Sequence, residues 1–454
     1  MIRTPTPVSI GAVPPRANPG SPPAGLRRGF AAFRHRDYRI FWFSQLLSLT
    51  GTWMQGLAQS WLVLSMTGSA FQLGLINVCQ FSPMLVLGLA GGVVADRIPK
   101  RRLLLVTQAV AGGLASTLAL LVATGRVELW HIYAIALGLG VVNAFDMPAR
   151  QSFAAEMVGK EDLMNAVALN SALFNASRII GPAIAGILLA QVGPAICFVV
   201  NAVSYGPVLL GLAAMRVKPL VCPEGTSGVE RLREGLAYVR GTPAVLFPLA
   251  LVGFVATFGM NFNIWAPILA RRDFAIGAGG FGLLMSALGV GSLTGALTLA
   301  FGGRQPRRGL MLATAVAFGL LEGALAAVSA IPLHVAVAVL LMTGVGFAMS
   351  TTMALANTTV QLTVPDALRG RVMSIYMIVF AGTMPIGALT TGLTTRFFGA
   401  PASIAIGGAV VIAAGVGCWV LGSREGVARF PAPDTQHLRP STQHPAPSTH
   451  VGDD

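Results

Sequence analysis

Charge is what this sequence holds least of. Of its 454 residues, 11% are charged and 54% hydrophobic, where a soluble protein of this size carries about 25% charge. That shortage excludes a water-soluble globular chain. Acids are scarcer than bases, 17 Asp and Glu against 31 Lys and Arg, for a net charge of +14. The cations form no single patch, which excludes a nucleic-acid binder; they recur at alternate ends of apolar runs, as the positive-inside rule describes. Cysteine is nearly absent. Cys79, Cys197, Cys222 and Cys418 lie far apart with no CxxC or ligand spacing, so neither a disulfide framework nor a metal site is expected. There is no GxxxxGK[ST] run, hence no phosphate cradle for nucleotide hydrolysis. The opening residues up to Gly29 are rich in Pro, Arg and Gly and hold no apolar core of the signal-peptide kind.

What is abundant is long apolar runs, each of about 20 residues or more and able to cross a bilayer as a helix. The pattern predicts twelve, at 38–64, 70–94, 102–124, 129–149, 164–190, 194–215, 244–269, 278–302, 308–329, 332–356, 371–396 and 401–422. A β-barrel is excluded, because it would show alternating segments of about 10 residues. Arg126, Arg271, Arg272 and Arg396 fall on one side of the membrane and Arg178 lies inside a run. All the other cations fall in the two ends of the chain and in the loops after the second, fourth, sixth, eighth and tenth runs. Both termini are therefore expected in the cytoplasm.

The expected organisation is a disordered basic, Pro-rich arm (1–36), a six-helix bundle (37–215), a cytoplasmic linker (216–243), a second six-helix bundle (244–422) and a disordered tail (423–454). His437, His444 and His450 are scattered in that tail and read as flexible chain rather than ligands. The linker contains VERLREGLAYVR at 229–240, where Leu232, Leu236 and Val239 recur at helical spacing among charges. That suits a short helix on the membrane surface.

The two halves repeat at a nearly constant spacing of roughly 207 residues. Gly51, Trp53 and Gln55 align with Gly259, Asn261 and Asn263; Gly74 aligns with Gly282; Gly181, Gly186 and Gly193 align with Gly387, Gly392 and Gly399. Two six-helix repeats with a cytoplasmic linker suit alternating access, in which the bundles rock about a site near the midplane.

Three stretches carry a family resemblance. Gly92-Val-Val-Ala95-Asp96-Arg97-Ile-Pro99-Lys100-Arg101-Arg102 resembles the loop 2–3 signature of the major facilitator superfamily, departing at Val94 and Pro99. The corresponding stretch GGRQPRRG at 302–309 keeps cations without an acid. Gly181-Pro182-Ala-Ile-Ala185-Gly186 resembles the helix-5 motif of the antiporter branch, with Ala185 in place of a glycine. The runs at 145–186 and 369–392 look like the drug:proton antiporter group that contains the enterobactin exporter, the transmembrane secretion effector type. The resemblance covers about 30–425. It implies an all-α polytopic protein of the inner membrane, monomeric and without cofactor. It also implies export of an amphipathic small molecule, siderophore- or drug-like, driven by a proton gradient. An importer or facilitator of the same fold is the alternative.

By the same resemblance, Asp96 faces the N-terminus of helix 11 near Gly370 to Met373, where unpaired N–H groups and the helix dipole favour an anion. Together with Gly92, it forms a latch that stabilises the outward-facing state, with Arg97, Lys100 and Arg101 pairing with Asp146. Arg178 and Glu322 are ionisable groups deep in apolar runs, where charge is costly and function is the default reading. Arg178 suits an anionic substrate group or helix packing. Glu322 and Asp146 are the two candidates for the proton-carrying acid. Trp53, Gln55 and Gln59 on the first run and Asn261, Asn263 and Trp265 on the seventh are symmetry-related cavity candidates. Asn143, Asn170 and Asn175 join them, although interhelical polar groups also serve as packing contacts. An enzyme would need a catalytic cluster. His35 and Asp37 are close in sequence, but His131 and His334 have no nearby nucleophile, so no catalytic residue is assigned.

Overall fold

The computed structural model describes residues 30–215, 228–301, 307–329 and 335–424. The arm to Gly29, the tail from residue 425, and the loops holding Cys222, residues 302–306 and His334 lie outside the described residues, as do the expectations placed on them. Among the described residues the regular structure is entirely helical. In chain order the helices are α1 (Arg36–Thr67), α2 (Ala70–Arg97), α3 (Lys100–Ala123), α4 (Leu129–Gly159), α5 (Glu161–Gln191) and α6 (Pro194–Ala214). Then come α7 (Gly228–Gly241), α8 (Pro243–Asp273), α9 (Gly277–Phe301), α10 (Arg308–Ser329), α11 (Val335–Thr363), α12 (Asp366–Gly382) and α13 (Met384–Arg424).

Ten stretches are long and apolar enough to cross a membrane. In hydrocarbon every backbone group must be satisfied within the segment, which makes the helix the only open-chain solution. One stretch, Leu368–Leu421, runs 54 residues, about 80 Å if straight, far beyond a core of about 30 Å. It breaks at Gly399, where φ is 84°. α1 is not among the ten, its Gln, Ser and Thr residues diluting its hydropathy, yet it packs along α5 and α6.

Two elements differ from expectation. The fourth run was expected to end at 149, but the helix continues to Gly159, whose φ of 71° turns the chain into α5. Ala149, Phe153, Ala154, Met157 and Val158 make that extension amphipathic, and they pack with Tyr38, Phe41 and Leu104. α8 is not uniform: Val255–Gly259 and Leu269–Asp273 are π-helical turns. Such turns insert a residue and cluster at functional places.

The glycine repeat has a structural meaning. A Cβ on Gly186 of α5 would lie 2.8 Å from the Cα of Gly282 on α9. Its counterpart, a Cβ on Gly392 of α13, would lie 3.3 Å from the Cα of Gly74 on α2. Gly181 presses on the Thr50 carbonyl of α1, and its repeat partner Gly387 presses on the Thr257 carbonyl of α8. Only glycine lets helix backbones come this close.

The Gly186/Gly282 and Gly74/Gly392 contacts join the first half of the chain to the second, and such contacts are uneven along the seam. One end of the bundle carries the Arg97–Arg102 loop and the turn at Gly159; the far end carries the turns at Gly68, Gly193 and Gly399. The far end is sealed by the Gly186/Gly282 and Gly74/Gly392 crossings, by Arg271 donating to the Leu64 carbonyl (2.7 Å) and by Arg272 donating to the Gly68 carbonyl (2.8 Å). Toward the basic end the same face of α5 is bare: Phe174, Ser171 and Val167 are exposed and Met164 is 87% exposed. On α9, Leu297 and Phe301 are exposed likewise.

Candidate functional site

The first polar centre lies between α1, α3 and α4 near the basic end. Asp146 is buried and accepts hydrogen bonds from Thr107 Oγ1 (2.7 Å) and Gln108 Nε2 (2.8 Å). Arg150, one helical turn on, donates Nε to it at 2.9 Å and pairs with it again through Nη2. Arg150 also bonds Gln45 of α1. A little deeper, Asn201 of α6 donates to Gln55 of α1 (2.6 Å).

These contacts correct the expected partners of the basic loop. Asp146 pairs with Arg150, not with Arg97, Lys100 or Arg101. Lys100 forms an ion pair with Glu156 (2.7 Å), and both side chains are nearly shielded from solvent. Arg101 caps the end of α6, donating to the carbonyls of Leu212 and Ala213 (2.5 and 2.6 Å), where the helix dipole favours a cation. The extension of α4 past 149 explains the switch, because it carries Glu156 to Lys100 and Arg150 to Asp146. Glu156 was not singled out in the sequence; its place one turn from Phe153 on the apolar face of that extension is the signal that marks it.

Asp96 and Arg97 are exposed and Gly92 is half-buried. A Cβ on Gly92 or Gly370 would meet nothing within 4 Å, so Asp96 is not docked on the start of α12 in this conformation. Instead Arg371 of α12 pairs with Glu234 of α7, and Gly235 lies against Arg371 and Ile375. α7 therefore rests on protein: Val239 is buried and Leu236 is exposed, while the side chain of Leu232 is outside the described residues. His35 bonds Asp162 at the start of α5 (3.0 Å). It thus ties the entry of α1 to the start of α5.

The second polar centre is a single group. Glu322 on α10 is 1% exposed, and its Oε2 has no hydrogen-bond partner. It faces Gly407 and Gly408 of α13, beside the Phe258 carbonyl in the first π turn of α8. Among the described residues, Asp146 and the side chain of Glu156 are buried with a cation beside them, and Glu322 is buried without one.

The third lies along the seam. The Arg178 guanidinium of α5 sits over the Trp53 ring (6.0 Å), and Trp53 meets Phe174 edge-on (5.7 Å). No carboxylate pairs with Arg178 among the described residues. Asn143 is exposed at similar depth, and Asn175 and Asn263 are half-buried. The other cavity candidates are committed elsewhere in this conformation. Gln55, Gln59, Asn261 and Trp265 are buried, Asn261 donating to Thr257 O (2.7 Å) and Trp265 packing on Phe262, while Asn170 accepts from Tyr38 (3.2 Å). Pro182 and Gly186 line the α9 crossing rather than a binding surface.

This helical architecture is that of the major facilitator transporters. A solved nucleoside transporter, NupG, superposes with a TM-score of 0.69 over 85% of this chain and 98% of its own, at 13% identity. A POT family transporter superposes at 0.69 over 86% and 97%, at 12% identity. The chain belongs to the transmembrane secretion effector family, whose pattern matches residues 27–451. It is 27% identical to the multidrug efflux pump Tap of Mycolicibacterium fortuitum, over 77% of this chain and 87% of that protein. It is 28% identical to the staphyloferrin A transporter of Staphylococcus aureus over 58% of this chain, a match that spans 66% of the transporter. It is 27% identical to the enterobactin exporter EntS of Shigella boydii over 61% and 66%. The protein is thus a multi-pass membrane transporter of this family.

Proposed function

We propose that the protein exports amphipathic small molecules, siderophore- or drug-like, across the bacterial inner membrane by proton antiport. In this reading the chain crosses the membrane twelve times: α1 and the break at Gly399 supply the crossings beyond the ten apolar stretches. Both termini and the basic loops are cytoplasmic. The observation that carries the reading is the uneven seam, sealed by glycine crossings at the far end and bare along α5 and α9 toward the basic end. That is the geometry of an inward-open state, and the undocked Asp96 fits it. The half-exposed Trp53, Phe174 and Arg178 at mid-depth supply an aromatic surface with one cation, which suits a bulky, weakly polar or anionic molecule.

Antiport needs an acid that can gain and lose a proton as the seam alternates. Asp146 is held by two hydrogen bonds and an arginine. Glu322 lacks such partners, and a buried ionised carboxylate without a cation is costly. Glu322 is therefore the coupling acid in this proposal, with the π turn of α8 as the element that senses it. The test is the purified protein in liposomes with an imposed pH gradient, challenged with siderophores and lipophilic drugs. Substrate-dependent proton movement in the wild type, lost in Glu322→Gln while substrate binding persists, is expected. Gradient-independent flux that Glu322→Gln leaves unchanged would rule out antiport through this residue.

A further inference from the structure

A cavity of about 300 Å³ opens at the far end of the seam, away from Arg178, Asp146 and Glu322. Its walls come from both halves of the chain: the start of α2, the end of α8, and the α13 turn. Four features of it favour negative charge. Arg272 and Arg396 line it. Two helices begin in its wall, α2 at Ser69–Ala70 and the second arm of α13 at Gly399–Pro401, and helix N-termini offer the positive end of the dipole and, except at Pro401, unpaired N–H groups. The Ser69 side chain does not cap α2. Finally, Thr395 lines the cavity and is 6% exposed, and its hydroxyl is buried with no hydrogen-bond partner. A buried hydroxyl without a partner is costly, so a ligand that supplied one would be favoured there.

The opposing group is Asp273, which also lines the cavity; against two arginines it leaves the wall with an excess of one positive charge. Arg272 spends one nitrogen on the Gly68 carbonyl (2.8 Å). Arg396 lies over the rings of Phe71 and Phe397 (5.9 and 5.8 Å). Those contacts orient both guanidinium planes without neutralising them.

We infer that this cavity is a binding site for a small oxyanionic group, a phosphate or carboxylate, held by Arg272, Arg396, the Thr395 hydroxyl and the two helix starts. Because its walls belong to both sides of the seam, an anion bound there holds the far end shut. The group can come from a soluble anion or from a phospholipid headgroup. The inference does not rest on the export reading.

The test uses the full chain in nanodiscs of phosphatidylcholine, with inorganic phosphate and citrate as soluble probes followed by titration calorimetry. Native mass spectrometry then counts retained phosphatidylglycerol against phosphatidylcholine in mixed bilayers. The expected result is saturable binding of phosphate or citrate, or selective retention of phosphatidylglycerol. It should weaken about tenfold or more in Arg272→Gln and Arg396→Gln, as loss of a charge-assisted bond predicts. A smaller loss is expected in Thr395→Val, which changes no charge and guards against a misfolded arginine variant. Arg126→Gln, exposed at the same end, should bind as the wild type does. Soluble binding identifies a free anion as the source, and lipid retention alone identifies a headgroup. Absence of both, or binding that all three cavity variants leave intact, overturns the site.

Discussion

At the scale of residues, two buried carboxyl groups have opposite surroundings and should answer differently to the same kind of substitution. Asp146 is tied to Arg150, Thr107 and Gln108. Asp146→Asn strands a half-buried arginine, so it should lower unfolding stability by about 2 kcal/mol, less than a fully buried pair would lose, because Arg150 is 29% exposed. The double variant Asp146→Asn with Arg150→Gln should recover part of that loss, as thermal unfolding in detergent can measure. Glu322→Gln replaces a buried carboxyl that, among the described residues, no cation or hydrogen bond to Oε2 stabilises, so stability at neutral pH should hold or rise. A large fall would show that Glu322 has a structural partner. At the surface, Glu234→Gln breaks the tie to Arg371 but should cost less than about 1 kcal/mol, since both groups are solvated.

At the scale of elements, the crossings of α5 with α9 and of α2 with α13 decide whether the far end can seal. A side chain at Gly186 or Gly74 has no room, because backbone of the facing helix lies in its place. Gly186→Val and Gly74→Val should therefore hold the far end apart, leave the chain folded, and abolish transport. Cysteines placed at Leu64 or Ile268 should become accessible to a membrane-impermeant thiol reagent from the far side in these variants and stay protected in the parent. The extension of α4 is a second such element: Lys100→Gln should loosen the start of α3 by leaving Glu156 unpaired, read as faster amide exchange there.

At the scale of the whole molecule, one conformation is on view and the other is implied by the residues left idle. Asp96 is exposed and the start of α12 around Gly370 is open. Rocking the halves to part the far end would bring them together. A cysteine-free background with Asp96→Cys and Gly370→Cys should then cross-link when Gly186→Val is present and much less without it. Equal cross-linking in both would mean that the basic end does not close as the far end opens.

The long apolar runs and the scarcity of charge determined on their own that this chain is a helical membrane protein, and the glycine repeat marked positions where its helices cross closely. Each is a local property, since a helix in lipid must satisfy its backbone within a single stretch. The same holds for the family motifs at Gly92–Arg102 and Gly181–Gly186. Pairing was decided only by tertiary structure. Which cation meets Asp146, which acid meets Lys100, and whether Gln55 faces a cavity or Asn201 depend on how far α4 extends and how each helix is rotated. No composition or spacing encodes that rotation. The far-end cavity is the extreme case: Arg272, Thr395 and the turns at Ser69 and Gly399 are distant in sequence and meet only because the two halves close on each other there.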